Sequence, residues 1–298
     1  MIYLLLSIFF SVLLLINFRL HPRFQVNTFQ AIILNYPVCI ITGLLFLPKD
    51  QHFSLNLSET STQLAMLLGV GFVITFMLSG FSTQKIGMAT TSLANNMSLV
   101  VPVIFSLIVL KMSASFDVLN YTGLALAIVA VVLSTVKKDA PSENASSLNQ
   151  YWWLPVAVFT MYGITNTSFN YLNATYVTKA GTTIPFTLTI LVGSVVAGGS
   201  VLLLRLIQQK EVFDPKSIIA AIPLGIPNFL SFYYLLKALD QYQNNGAFVL
   251  PMYNIGVIVG SALVAFVFFK EKFSSLNKIG LLLAILAIVL ISHQSLNW

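Results

Sequence analysis

Residues 116–134, FDVLNYTGLALAIVAVVLS, decide the fold because the chain contains this segment twice. The second copy, FSSLNKIGLLLAILAIVLI, covers residues 273–291 and stands 157 positions later. Both copies share the frame F-x3-N-x2-G, and the eleven positions that begin at the glycine contain eight identities. Self-similarity over such a distance is typical of a chain built from two structural repeats. We therefore interpret the sequence as an internal duplication.

The composition places the chain in a membrane. Charged residues make up 8% of the sequence, where a soluble domain carries about 25%. Hydrophobic residues make up 57%, and the mean hydropathy is +0.87. A helix needs about 20 apolar residues to cross the hydrocarbon, so the chain has room for about ten helices with short loops. The apolar run that follows Met1 lacks a basic n-region and a cleavage site, so we expect it to remain as the first helix.

Apolar runs between polar turns predict an all-α polytopic membrane protein with ten transmembrane helices. Residues 1–136 form the predicted first five-helix repeat, 137–150 a polar linker, and 151–298 the second repeat. The predicted helices cover 1–18, 28–47, 63–83, 88–110, 116–134, 151–172, 182–206, 218–236, 245–269 and 273–291. Five spans are an odd number, so the second repeat must enter the bilayer from the opposite side. The repeats are therefore predicted to be inverted.

The basic residues indicate orientation. The net charge of +6 is spread over short loops and forms no single patch, so we expect no nucleic acid partner. Loops after the odd-numbered helices hold eleven Lys and Arg residues, and loops after the even-numbered helices hold four. Because basic loops stay in the cytoplasm, this count places both termini outside.

Carboxylates, histidines and arginines are missing from the deep interiors of the predicted helices. The three histidines lie near helix ends, and the acidic residues lie in loops or at boundaries. The single cysteine, Cys39, excludes an intrachain disulfide and a thiolate metal cluster. No nucleophile–base pair or phosphate-binding glycine loop is found, so we expect no enzyme activity, no metal site and no cofactor.

Amides, hydroxyls and tyrosines remain inside the apolar runs. A polar side chain that faces lipid is costly, so these groups should point into the helix bundle. They could act as hydrogen bonds between helices, or they could line a hydrated cavity that binds a polar solute. Under the second hypothesis the candidate substrate-binding residues are Asn35, Asn95, Asn96, Tyr162, Asn166, Asn170, Asn228, Tyr234, Tyr253 and Asn254.

The pattern resembles the drug/metabolite transporter superfamily, in particular its ten-helix EamA-type members. The resemblance rests on the tandem five-helix halves, Pro102 in the fourth helix, the FKEKF run at 269–273 that leads into Gly280, and the 238–245 approach to the ninth helix. It implies that helices 1 to 4 and 6 to 9 surround a substrate path. It also implies transport of amino acids or other small metabolites, termini in the cytoplasm, and residence in the bacterial cytoplasmic (inner) membrane. Charge count and resemblance thus disagree on orientation.

Two functions from different classes fit these features. The first is a secondary transporter that moves a small polar organic solute, such as an amino acid or related metabolite, by alternating access and in the direction of export. The second is a non-transporting membrane scaffold or receptor-like subunit, whose asparagines only join helices. Expected partners are a small-molecule metabolite and the lipid bilayer, with the chain as a monomer or homodimer. Since no acid is buried, facilitated or exchange transport fits as well as proton coupling.

Overall fold

The computed structural model describes residues 1–49, 51–108, 117–135, 151–177, 183–242 and 246–293. These residues form eleven helices, and no strand occurs among them. In chain order the helices are α1 Ile2–Leu20, α2 Thr28–Leu45, α3 Thr60–Lys85, α4 Met88–Met97, α5 Val100–Ile108, α6 Val118–Thr135, α7 Trp153–Tyr176, α8 Thr183–Ile207, α9 Lys216–Gln241, α10 Gly246–Val267 and α11 Ser275–Ser292.

Eight segments are long and apolar enough to cross a membrane. They are Ile2–Leu20, Thr28–Leu45, Thr60–Lys85, Met88–Phe105, Thr183–Ile207, Lys216–Gln241, Val249–Val267 and Ser275–Ser292. Helix α6 contributes a shorter apolar stretch, Val118–Leu133, and α7 has the length of a span but a more polar sequence. The chain is therefore an integral, multi-pass, all-helical membrane protein.

The predicted helices match the observed ones to within a few residues, with one difference. The predicted fourth helix is interrupted after Met97, and a turn at Ser98 and Leu99 separates α4 from α5. Pro102 explains the break, since its ring clashes with the carbonyl four residues earlier, at Ser98, and it has no N–H to donate there. The predicted linker at 137–150 lies outside the described residues.

The duplicated segment has a physical explanation at its first turn. In α6 the Asn120 side chain accepts the Asp117 N–H at 3.0 Å, and Asp117 Oδ1 accepts the Asn120 N–H at 3.1 Å. Ser274 and Asn277 form the same reciprocal capping box at the start of α11. The repeated asparagine thus occupies the third helical position of both copies, where it satisfies N–H groups that a helix leaves free.

Helices α6 and α11 pack against each other along their length and form the most extensive helix pair among the described elements. Their repeated alanines, Ala127 and Ala130 in α6 and Ala284 and Ala287 in α11, are fully buried in one apolar cluster. Small side chains bring two helices close together when the bilayer supplies no hydrophobic driving force. The two copies of the duplicated segment therefore form a shared seam.

Other helix pairs also join the helices before residue 136 to the helices after residue 150. The main pairs are α2 with α9, α3 with α8, α1 with α9, α3 with α7, α2 with α8, α4 with α10, and α1 with α10. At the crossing of α3 and α8, a Cβ built on Gly193 would overlap with the backbone of Met66, and one built on Gly69 would overlap with the Ile190 carbonyl. Backbone contact at this crossing requires glycine on both sides.

Replacing two glycines of α8 separates packing from helix propensity. Gly193→Ala should lower thermal stability in detergent, because the alanine Cβ would overlap with backbone atoms of Met66 in α3. Gly199→Ala is the matched control, since a Cβ there meets nothing within 4 Å and alanine favours a helix by about 1 kcal/mol. Melting temperatures of the two variants should move in opposite directions. A Gly193→Ala protein that is as stable as the control would contradict the close crossing.

Candidate functional site

A cavity of about 830 Å³ occupies the middle of the helix bundle. Its walls come from α1, α2, α3, the junction of α4 and α5, α7, α8, α9, α10 and the end of α11. A volume of this size lies in the range of pockets that enclose a small organic ligand. The polar lining residues are Ser11, Tyr36, Cys39, Thr75, Ser79, Asn95, Asn96, Ser98, Tyr162, Thr165, Asn166, Asn170, Thr187, Asn228, Ser231, Tyr253, Asn254 and Ser292.

Eight of the ten candidate residues predicted from the sequence line this cavity. They are Asn95, Asn96, Tyr162, Asn166, Asn170, Asn228, Tyr253 and Asn254. Asn35 is fully buried behind the wall, where it contacts Asn228. Tyr234 stacks on Tyr3 and Phe10 of α1 and does not reach the cavity. The structure thus places these two residues in the supporting layer and in the contact between helices.

Helical spacing explains why the polar residues meet. Tyr162, Asn166 and Asn170 stand four residues apart on α7, so they share one face, and all three line the cavity. On α3, Thr75 and Ser79 share a face in the same way. The more polar composition of α7 is therefore concentrated on a face that points away from lipid.

Sequence reasoning missed part of the wall. Ser11 is one of two serines in the mostly apolar α1, and the sequence around Cys39 indicates nothing beyond a lone thiol. The apolar part of the wall includes Phe18, Phe72, Phe76, Phe169, Phe229 and Phe232. A phenylalanine that lines a cavity has the same sequence signal as one that faces lipid, so no pattern could separate them.

Two hydrogen bonds tie neighbouring helices together at the wall. The Ser11 and Tyr253 hydroxyls lie 2.7 Å apart and link α1 to α10. On the other side, the Asn166 amide nitrogen donates to Ser98 Oγ at 3.5 Å and links α7 to the turn between α4 and α5. Each bond joins a helical segment before residue 136 to a helix after residue 150. Polar groups of the wall therefore also hold the bundle together.

A second polar network stands behind the wall at α2 and α9. The Asn228 amide nitrogen donates to Asn35 Oδ1 at 2.9 Å. The Cys39 sulfur lies 3.3 Å from Asn35 Oδ1 and 3.2 Å from the Gly225 carbonyl oxygen, so its one hydrogen can be donated to either. The Asn35 amide nitrogen in turn donates to the Ile32 carbonyl. Asn228 is thus held from behind, with the rest of its amide at the cavity.

Tyr36 brings a buried hydroxyl to the same region. Only 1% of its surface is exposed, and its Oη makes no hydrogen bond with the residues that the structure describes. An unpaired buried hydroxyl costs roughly 1–3 kcal/mol. Because Tyr36 also lines the cavity, a bound solute or water could supply the missing partner.

The described lining contains no charged side chain. Arginine, lysine and carboxylate groups lie at the ends of the helices, as in the Arg205–Glu211 and Asp117–His293 pairs. Within the described ranges, no three His, Cys, Asp or Glu side chains come together to hold a metal ion. The site offers amide, hydroxyl and aromatic groups, which suit hydrogen bonding and ring stacking.

A network of polar and charged groups lies at the face where α1, α3, α8 and α10 end, which we call the basic face. Arg19 Nε lies 3.5 Å from Glu271 Oε1, which also accepts the Met88 N–H at the start of α4 at 3.0 Å. The Arg19 guanidinium donates to the Gln84 carbonyl at 3.1 Å. The ring of Phe18 forms the floor just above this network.

The cavity extends toward the opposite face, where Met1 and His293 lie. Its lining reaches Leu239, two residues before α9 ends, and Ser292, the last residue of α11. Toward the basic face the α9 lining stops at Asn228, twelve residues from the start of that helix. The cavity is therefore one-sided, because on α9 and α11 its lining reaches the face of Met1 and His293 and on α9 it stops well short of the basic face.

His21 sits beside the floor, just outside α1. Burial lowers its pKa to about 4, so the imidazole is neutral at physiological pH. Its Nδ1 lies 3.2 Å from Thr28 Oγ1, which also accepts a hydrogen bond from Gln84 at 2.6 Å. The Thr28 hydroxyl hydrogen is then available to His21. His21 is therefore a buried, neutral residue at the basic face.

The fold and the cavity define a class: a multi-pass helical membrane protein with a central, uncharged, solute-sized chamber. No protein-family model matches the chain. An uncharacterized protein of Haemophilus influenzae is 26% identical over 265 residues, which cover 87% of this chain and 86% of that protein. A chain from a protein crystal structure superposes with a TM-score of 0.54 at 12% identity, over 98% of each chain. The second likeness shows a shared fold alone.

Cysteine accessibility tests whether the cavity is wet. In a Cys39→Ala background, Asn166→Cys and Asn254→Cys should react with small water-soluble thiol reagents, because both positions line the cavity. Ser261→Cys is the matched control. It lies two helical turns from Asn254 on the same face of α10, is fully buried and lies outside the lining. Equal protection of all three cysteines in the folded protein would show a dry bundle.

Proposed function

We propose that the chain is a secondary transporter that moves a small, polar, uncharged organic solute across the membrane by alternating access. The observation that carries this proposal is the one-sided cavity at mid-depth in the bundle, lined by amides and hydroxyls from both halves of the chain. Solute sites of secondary transporters lie near the bilayer midplane where two repeats meet. Membership in the EamA-type drug/metabolite transporters is part of the same proposal.

Inverted repeats would explain the way the helices pair. A two-fold axis in the membrane plane that exchanges the halves would exchange the contact of α2 and α9 with that of α8 and α3. It would likewise exchange the contact of α1 and α9 with that of α7 and α3. All four of these helix contacts occur in the structure. Helices α6 and α11, which carry the duplicated sequence, would pair across the axis, and so would α4 and α10.

Close backbone contacts support the same relation. A Cβ on Gly225 of α9 would lie 2.6 Å from the Asn35 carbonyl of α2. Gly69 of α3 stands 156 positions before Gly225 and approaches the Ile190 carbonyl of α8, which stands 155 positions after Asn35. Corresponding glycines therefore approach corresponding backbone atoms of the opposite half.

The sequence adds a second repeated run. Residues 95–102, NNMSLVVP, return as NNGAFVLP at 244–251, with four identities at an offset of 149. Both runs lead into a helix that lines the cavity. Counting α4 and α5 as one interrupted span, and including α6 and α7, the chain would cross the membrane ten times. These features favour two five-span units of opposite orientation.

Alternating access would follow if the cavity is closed at the basic face and open at the opposite face. The Arg19–Glu271 pair joins α1 to the end of α10, and the carboxylate also caps α4. Rocking of one half against the other would separate these groups and open the cavity to the basic face, while the end at the opposite face closes. If the basic face is cytoplasmic, as the positive-inside rule predicts, the observed state would open away from the cytoplasm. Termini in the cytoplasm, which the family resemblance implies, would reverse that direction.

The alternative function, a scaffold whose asparagines only join helices, is favoured by the hydrogen bonds that the wall residues make with each other. It leaves the unpaired Tyr36 hydroxyl and the size of the cavity unexplained. We therefore rank it second.

Transport assays in proteoliposomes test the proposal. The purified full chain should exchange at least one member of a broad panel of radiolabelled neutral metabolites, amino acids included, above protein-free vesicles. Asn228→Leu should reduce that flux about tenfold, because a donor of the solute loses its partner in the cavity. Ser261→Ala, outside the lining, should leave the flux unchanged. Folded protein that moves no member of the panel would contradict transport.

A further inference from the structure

Three asparagines of the cavity share an orientation that identifies the chemistry of the solute. We infer that Asn96, Asn166 and Asn228 present their carbonyl oxygens to the cavity, so that the site selects uncharged molecules that carry several N–H or O–H donors. This inference rests on the proposed function and names the substrate class of the same site.

The orientation of Asn228 is fixed from behind by a backbone carbonyl. The Asn35 side chain faces the Ile32 carbonyl, which can only accept, so the Asn35 atom at that position must be its amide nitrogen. Its Oδ1 therefore points the other way, toward Asn228. An oxygen that accepts requires the nitrogen of Asn228 in front of it, at 2.9 Å. The Asn228 carbonyl oxygen is left for the cavity.

Asn96 is oriented by its own helix. Its amide nitrogen lies 2.8 Å from the Ser92 carbonyl, one turn earlier in α4, and 3.4 Å from the Ser92 hydroxyl. The Ser92 carbonyl is again an acceptor, so the assignment of nitrogen and oxygen in Asn96 has one solution. Only 5% of Asn96 is exposed, and its place in the lining leaves the carbonyl oxygen to a bound molecule.

Asn166 follows the same logic through a serine. The Ser98 hydroxyl donates its hydrogen to the Asn95 carbonyl at 2.5 Å, so Ser98 Oγ has only acceptor positions left. The group of Asn166 that faces Ser98 Oγ, at 3.5 Å, must then be the amide nitrogen. All three amides thus use nitrogen on the protein side, and in each case an obligatory acceptor determines the direction.

The three carbonyl oxygens reward a solute that brings hydrogen-bond donors to them. A solute that brings an acceptor to such an oxygen leaves both groups unpaired, which costs roughly 1–3 kcal/mol for each pair. The phenylalanine rings of the wall, among them Phe76 and Phe229, suit an apolar or aromatic body beside these donors. Neutral amides, imides and ring N–H compounds combine the two properties.

The missing charges in the lining exclude an ion as the preferred solute. A cation would be attracted by carbonyl dipoles, but no lining carboxylate neutralises it, and an anion would meet the same oxygens with repulsion. Burying an unpaired ion is far more costly than burying a paired neutral donor. The cavity should therefore prefer neutral solutes to ions, and solutes with hydrogen-bond donors to solutes without them.

Matched probe pairs test the inference on the purified full chain in detergent, with binding measured by calorimetry and by shifts in melting temperature. The probes are benzamide with N,N-dimethylbenzamide, uracil with 1,3-dimethyluracil, and theophylline with caffeine, each pair differing in N–H donors. Benzylamine and benzoate supply the charged comparisons. The donor-bearing member of each pair should bind at least about fivefold more tightly, the lower limit for one unpaired group, and both charged probes should bind more weakly than benzamide.

Two variants show whether the asparagine orientation causes the preference. Asn35→Leu removes the acceptor that holds Asn228, so its amide can turn over, and the donor preference should fall toward unity. Asn228→Asp keeps oxygen acceptors but adds a negative charge, so benzylamine should become the tighter probe. Ser261→Ala should behave as the wild type. If Asn35→Leu does not fold, the probe pairs on the wild-type protein and the Asn228→Asp variant still test the inference.

The outcomes separate this inference from the proposed function. Binding without donor preference, or tighter binding of the methylated members, would overturn the inference and leave transport untouched. Preferred binding of benzoate or benzylamine to the wild-type protein would also overturn it. If no probe binds at any soluble concentration, the cavity is not a solute site of this kind, and the inference fails together with its basis.

Discussion

A polar group in hydrocarbon must find its hydrogen-bond partner inside the protein, and the rest of this structure depends on that constraint. The backbone meets it by forming the eleven helices of the described residues. Side chains meet it by turning inward, as the α7 face of Tyr162, Asn166 and Asn170 does. Because many inward groups are amides and hydroxyls of moderate size, they surround a space, and that space is the cavity.

The same constraint shapes the contacts between helices. Backbones approach closely at glycines, as at Gly69 and Gly193, since lipid-like side chains alone would not hold two helices together. The polar groups then act twice: nitrogen atoms of the asparagines join protein groups, and their oxygen atoms remain at the cavity. One set of residues therefore stabilises the bundle and gives the cavity its chemistry.

The sequence predicted a helical, multi-pass membrane protein, the approximate ends of its helices and the polar faces of α3 and α7, because helical periodicity and hydropathy are local properties. It also predicted all six asparagines of the cavity lining, since clustered asparagines have few other places to go. Asn35 and Asn228 could not be told apart, because their layers depend on how α2 meets α9. The position of Tyr234 against α1 depends in the same way on tertiary packing. The turn at Ser98 had a local cause in Pro102, but many membrane helices absorb a proline without a break.

The central claim is that two oppositely inserted five-span units enclose the cavity. Side-specific labelling of the two corresponding loops tests it most directly. In a Cys39→Ala background, Ser54→Cys lies between α2 and α3, and Gln209→Cys lies between α8 and α9, both exposed and separated by five proposed spans. A membrane-impermeant thiol reagent added to intact cells should label one cysteine and reach the other only after the membrane is opened. Labelling of both cysteines from the same side would contradict the inverted arrangement.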